Sequence, residues 1–141
     1  MDRVAHPDTV QLVIALARDT LSLSDREDLD VSPTTLLFYD LSFTSMDLLD
    51  LLFRIEERCG ITISEGTLYQ LARGDTPEAE FARDGVLSVA GRDHLMRLLY
   101  DTPPELFPER IHATTVPRYC TVGAIARLVD HHLGARAPSS S

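Results

Sequence analysis

Ser45 lies in the run Thr44-Ser45-Met46-Asp47, whose residue types and spacing fit the start of a helix. Thr44 has the chemistry of an N-cap. Asp47 follows three residues later, so the four residues make a capping box with aspartate in the usual Glu/Gln place. A helix beginning here sets the Ser45 hydroxyl on its first turn, where amides have no intrahelical acceptor and the helix dipole favours negative charge. The chemistry open to such a serine is phosphorylated: a phosphate ester on Ser45 would lie in a compatible field. A plain helix-start serine is the better reading of an isolated serine, so the neighbouring pattern has to decide.

That pattern is two-sided. At about 100° per residue, Leu48, Leu51, Leu52, Ile55 and Cys59 share one side, while Met46, Leu49, Asp50, Phe53 and Glu57 gather on the other. The first stripe is core. The second mixes apolar side chains with carboxylates, which suits a surface that docks briefly on basic partners.

The stretch D-L-x-x-x-S-M-D-L-L-D-L-L-F-R-I-E-E-R-C-G-I-x-I, residues 40 to 63, resembles the phosphopantetheine attachment region of acyl carrier proteins. Asp40, Leu41, Ser45, Asp47, Glu56, Glu57, Gly60, Ile61 and Ile63 match that pattern as they stand. Ser42 replaces the usual glycine and Thr44 the usual aspartate. Threonine keeps the capping ability but removes a carboxylate next to the serine. The resemblance implies that a phosphopantetheinyl transferase joins 4′-phosphopantetheine from coenzyme A to Ser45. It gives Met46, Asp47, Leu49, Asp50, Phe53, Glu56 and Glu57 to partner contact. Acyl groups would ride as thioesters on the arm in fatty-acid, polyketide or related biosynthesis. Catalysis would belong to visiting enzymes such as a ligase, ketosynthase or acyltransferase, and the chain itself would be no enzyme. Arg54 interrupts the acidic series and implies a partner surface different in detail from the housekeeping type.

Composition agrees. The chain of 141 residues has one domain's worth of sequence, and its net charge of −9 argues against nucleic acid and anionic membrane surfaces. Nine carboxylates against two arginines fall within residues 25 to 57, so most of the charge flanks Ser45. All thirteen basic residues are arginine. A GC-rich bacterial genome is the simpler account of that; the absence of a side-chain amine that could attack a thioester is the sharper one. No run approaches the roughly twenty apolar residues of a membrane span, and the N-terminus lacks a signal region, so a cytoplasmic monomer is expected. Cys59 and Cys120 read as reduced core or boundary thiols. His6, His94, His112, His131 and His132 have no metal-ligand spacing with the cysteines, and the Asp25 to Asp30 run lacks the glycine and distal glutamate of a calcium loop.

The expected fold is an all-α, acyl-carrier-protein-like bundle with extra helices between its second and last major helices. Asp8 or Thr9 caps a first helix through about Leu21, with Val10, Val13, Ile14 and Ala17 facing inward. A long connection, 22 to 44, is pinned by Leu23, Leu29, Val31, Leu36, Phe38 and Leu41. The last helix runs from Thr121, its N-cap, to Leu133. Residues 1 to 134 form one carrier domain, with a core of 8 to 63 and 121 to 133 and an insertion of about 64 to 120; residues 135 to 141 form a disordered tail. So long an interval must hold structure of its own. It reads as a short helix at Ser64 to Ala72, a polar turn at Arg73 to Pro77, a brief helix at Glu78 to Arg83, and a better one at Ser88 to Tyr100 with Val89, Leu95, Met96, Leu98 and Leu99 apolar.

Three other functions compete. A serine hydrolase would need a G-x-S-x-G elbow and a strand before Ser45, and neither is present. An unmodified helical adaptor with the carrier fold would use the same acidic helix without modification. An aminoacyl or peptidyl carrier would use the same serine, but the strong acidity favours acyl groups.

Overall fold

The computed structural model describes residues 5 to 26, 28 to 63 and 66 to 136. Glu27, Ser64 and the tail residues 137 to 141 lie outside the described residues, and so do the expectations that fall on them. The described elements are mostly helical: α1 (Pro7–Ser22), α2 (Ser45–Cys59), α3 (Gly66–Arg73), α4 (Glu78–Phe81), α5 (Val89–Leu98) and α6 (Val122–Arg136), with two short strands, β1 (Ala82–Arg83) and β2 (Val86–Leu87). Two 3₁₀ turns, Pro104–Leu106 and Ala113–Tyr119, lead into α6.

α1 starts one residue before the expected caps. Pro7 occupies the first turn, where a missing N–H costs nothing, and the His6 ring nitrogen accepts from the Asp8 amide at 3.1 Å. Val13 and Ala17 are fully buried, with Val10 and Ile14 half-buried beside them. α1 packs between α2 and α6. Its polar ties run to both: Thr20 donates to Asp50 of α2 at 2.7 Å, and Thr9 donates to Asp130 of α6 at 2.6 Å.

The connection from 23 to 44 is held down largely as its apolar residues require. Val31, Leu36 and Leu41 are buried, and so are Leu37 and Phe43, which the sequence reading passed over. Leu23, in the turn that follows α1, and Leu29, in a bend further along, are exposed, contrary to expectation. The middle of the connection lies against the start of α6: Val122 donates to the Thr35 carbonyl at 2.9 Å and Gly123 to the Pro33 carbonyl at 2.8 Å. Glycine eases this approach, since a Cβ at position 123 would crowd both the Pro33 carbonyl oxygen and an Asp101 carboxylate oxygen at 3.1 Å.

α3 falls where the sequence placed a helix, followed by a turn at Gly74, whose φ of 56° suits glycine. The next helix stops at Phe81, four residues long, and Ala82–Arg83 pair antiparallel with Val86–Leu87 as a hairpin instead of extending it. Asp84 and Gly85 both have positive φ, 52° and 79°, as a two-residue hairpin turn requires. The Asp-Gly dipeptide was the legible signal. Leu87 donates to the Ile111 carbonyl at 2.8 Å, so the returning chain extends the hairpin's bonding. α5 has Ser88 as its N-cap, accepting from Gly91 at 3.0 Å, and ends at Leu98, short of the expected Tyr100. Leu95 and Leu99 are fully buried, Met96 and Leu98 half-buried, and Val89 is 81% exposed because it lies on the outer side of the first turn.

Thr121 caps α6 as expected, accepting from Ala124 at 3.0 Å. The helix continues to Arg136, so the first two residues of the expected tail, 135 and 136, lie inside it. One contiguous cluster of buried side chains runs from Ala5 to Val129 and includes Phe81, Leu95, Leu99 and Ile111 of the segment between α3 and α6. Arg127 is buried in this setting at 4% exposure, paired with Asp101 at 3.0 Å and lying 4.4 Å from the Tyr100 ring centre. Asp101 also accepts from Thr121 at 2.7 Å, so one carboxylate ties the segment after α5 to the cap and the body of α6.

Candidate functional site

Ser45 is the first residue of α2 and is exposed. Thr44 is extended, with its hydroxyl accepting from the Asp47 amide at 3.2 Å, while the Asp47 carboxylate accepts from the Thr44 amide at 2.9 Å. Both halves of the capping box are therefore made. At the other end Gly60 adopts a left-handed φ of 68° and donates to the Glu56 carbonyl at 2.8 Å, which closes the helix. Leu48, Leu51, Leu52 and Ile55 are buried and Cys59 is half-buried, so the inward stripe of the sequence reading is the inward stripe of the fold.

The outward face divides. Met46, Leu49 and Phe53 are 72%, 45% and 58% exposed, a considerable apolar surface beside Ser45, and Glu57 is exposed with them. The other three carboxylates assigned to partners are engaged within the molecule. Asp47 bonds Arg26 at 2.9 Å; Asp50 bonds Thr20 at 2.7 Å and Arg54 at 2.6 Å; Glu56 accepts from the Ile63 amide at 2.7 Å. Asp50 thus sits half-buried at the α1–α2 seam and not on the open face, because Thr20 reaches it from α1.

These contacts govern titration. Partial burial works against ionisation of Asp47, but the hydrogen bonds from Thr44 and Arg26 and the Arg26 charge outweigh it, leaving its carboxyl below the ordinary aspartate value. Asp50 behaves alike: burial opposes its charge, and hydrogen bonds from Arg54 and Thr20 more than compensate. Cys120, fully buried, has its thiol pushed up to about 12 by burial and by the Asp101 charge, which leaves it protonated and inert.

The approach to Ser45 has its own logic. Asp40 turns its carboxylate onto the Leu36 amide at 2.8 Å and closes the turn before Leu41, which is 1% exposed. Ser42 has a φ of 55°, in the left-handed region where the related pattern has glycine. Arg26 donates to the carbonyls of both Leu41 and Ser42. Sequence reasoning counted Arg26 only in the charge balance; its standing as the one cation in the 25 to 30 acidic run was the available signal.

A phosphate ester fits this position. Among the described residues, no protein group accepts from the amides of Ser45 or Met46, and the nearest carboxylate, Asp47, is directed to Arg26 and the Thr44 amide. An anion on the Ser45 oxygen would meet the positive end of a 15-residue helix without an unpaired neighbouring carboxylate.

Residues 11–73 match the family model of the phosphopantetheine attachment site. Over that span the chain is similar to phosphopantetheine-binding carriers, whose attachment domain binds a 4′-phosphopantetheine prosthetic group. The match covers most of α1, all of α2 and α3, and Ser45 itself, and stops before the hairpin. No curated protein and no solved structure matches the chain. No described helix is long and apolar enough to cross a membrane.

Proposed function

We propose that the protein is an acyl carrier that takes its phosphopantetheine arm on Ser45. The observation that carries this reading is an exposed serine at the start of a fully capped helix inside the matched span. In the transfer, the Ser45 oxygen bonds to the phosphorus of coenzyme A that bears pantetheine. The bond to the adenosine-side phosphate breaks, adenosine bisphosphate leaves, and the hydroxyl proton passes to a base of the transferase. The arm, when bound, supplies a thiol on which acyl groups are held as thioesters. The chain itself supplies attachment and docking, and catalysis stays with the visiting enzymes.

Met46, Leu49, Phe53 and Glu57 are the contacts we assign to partners first, since they are exposed. Asp47, Asp50 and Glu56 contribute to the field of the helix while serving bonds within the chain. We read residues 1 to 134 as one carrier domain, supported by the continuous core, and place the protein as a monomer in a bacterial cytoplasm serving fatty-acid or polyketide synthesis.

Intact mass after incubation with coenzyme A, magnesium and a broad-specificity phosphopantetheinyl transferase tests the reading. One phosphopantetheine adduct on the wild type and none on Ser45→Ala is the expected result. A folded wild type that stays unmodified, with its host's own transferase as well, would replace it with the unmodified adaptor.

A further inference from the structure

Arg26, from outside α2, makes four directed contacts, three of them to residues flanking Ser45. Nη1 donates to the Leu41 carbonyl at 2.7 Å and the Ser42 carbonyl at 3.0 Å, Nη2 to Asp47 Oδ2 at 2.9 Å, and Nε to Ser24 Oγ at 2.7 Å. Leu41 and Ser42 precede the serine and Asp47 follows it, so one planar group grips the attachment segment on both sides. A guanidinium suits such a grip, because its donors are fixed in a fork and its charge is permanent. A lysine ammonium would be a point donor on a flexible stem.

The grip has something to hold. Ser42, at a φ of 55°, occupies a conformation that an L side chain disfavours, and it does so three residues before Ser45. The carbonyls of Leu41 and Ser42 meet on Nη1 in that conformation. Asp47 Oδ2 is shared between Arg26 and the Thr44 amide, so the capping box is held from outside as well as from within. The ion pair is no loose surface contact, with the Arg26 and Asp47 side chains only 24% and 17% exposed.

We infer that Arg26 is a positioning residue for the modification of Ser45. It stands in for the conformational freedom of the missing glycine, keeping residues 41 to 44 docked on the start of α2 so that the hydroxyl is presented in one orientation. This rests on the carrier reading above.

Four variants test it: Arg26→Gln, Arg26→Lys, Ser42→Gly, and Ser42→Gly combined with Arg26→Gln. Each is incubated with coenzyme A, magnesium and the broad-specificity transferase, and initial rates are followed by intact mass over a range of carrier concentrations. Helicity by circular dichroism at the assay temperature is measured alongside. The wild type and Ser45→Ala form the control: a wild type that takes no adduct defeats the carrier reading, separately from the role of Arg26. With the wild type modified, folded Arg26→Gln is expected to lose at least tenfold in kcat/KM. Adding Ser42→Gly is expected to recover at least threefold of that loss, because glycine accepts the left-handed turn unaided; a purely structural role elsewhere would give no such rescue. Arg26→Lys keeps the charge and loses the fork, and is expected to fall at least threefold. A folded Arg26→Gln within twofold of wild type overturns the inference. If that variant unfolds, Arg26→Lys decides, and a rate within twofold of wild type overturns the inference equally.

Discussion

α2 and α5 are both amphipathic helices opened by a hydroxyl cap, yet they stand differently to their own sequences. In α2 every residue of the inward stripe is buried or half-buried, and the apolar residues of the other stripe are open to solvent. In α5 and its C-cap the apolar set is divided, with Leu95 and the cap residue Leu99 fully buried and Val89 81% exposed, while Gly91 is buried among heavier neighbours. The difference lies in what each helix packs against. α2 lies along another long helix, α1, so a regular period meets a regular surface. α5 packs on short elements, α3, α4 and β2, and its place is set by particular atoms: the Phe81 carbonyl beneath Gly91, and the Phe107 and Pro108 carbonyls bonded by Arg92. The attachment segment is thus positioned by periodicity, and the segment between α3 and α6 by individual contacts.

The tie between the two regions offers the largest break. Asp101→Ala leaves Arg127 charged and buried beside the orphaned Thr121 hydroxyl, and removing one member of a buried pair costs about 3 to 5 kcal/mol. Urea unfolding is expected to show a single transition at a lower midpoint by helicity and by tyrosine fluorescence. Two separated transitions would mean that the segment between α3 and α6 and the attachment segment unfold independently. Gly91→Ala comes next. Its Cβ would stand 2.2 Å from the Phe81 carbonyl oxygen, a backbone atom that cannot swing aside, so a loss of about 1 to 3 kcal/mol is expected in thermal melts. An alanine tolerated without loss would show α5 to be as free to adjust as an isolated helix.

Acid acts on both regions together. Asp47 and Asp50 in the attachment segment and Asp101 after α5 have folded-state values below the ordinary 3.8. For Asp101, burial opposes ionisation and bonds from Arg127 and Thr121 outweigh it. A depressed value means stability present above the unfolded value and lost as pH falls through the folded one. Melting temperature is expected to drop below about pH 4, and Asp101→Asn to flatten part of that drop. The smallest effect sharpens the contrast at α2. Phe53 is 58% exposed, so Phe53→Ala is expected to change stability by less than about 0.5 kcal/mol while raising the KM of the transferase or another docking enzyme. A large loss of stability would place Phe53 in the core and return the outer face to a packing role.

Much of the attachment region was legible because its determinants are local. Thr44 and Asp47 are three residues apart, Gly60 ends its own helix, and the buried stripe of α2 follows from one period. Of the carboxylates, only Glu57 kept the open position that the pattern gave it. Asp47, Asp50 and Glu56 were claimed by Arg26, by Thr20 and Arg54, and by the Ile63 amide. The bonds from Arg26 and Thr20 join residues far apart in the chain, which no window of sequence displays. The hairpin at Ala82 to Leu87 was missed although Asp84-Gly85 announced it, since the helical reading of Glu78 to Arg83 ran across its first strand.

By itself, then, the sequence determined the capped helix, the exposed serine at its start, the apolar stripe beneath and the acidic charge around it, because each depends on residues within a few turns of one another. Only the tertiary structure decided which charges remain free, that a buried Arg127 fastens the segment after α5 to the last helix, and that Arg26 comes to rest across the segment leading to Ser45. Those outcomes depend on side chains that meet only when distant parts of the chain pack, where burial makes an unpaired charge too costly to leave alone.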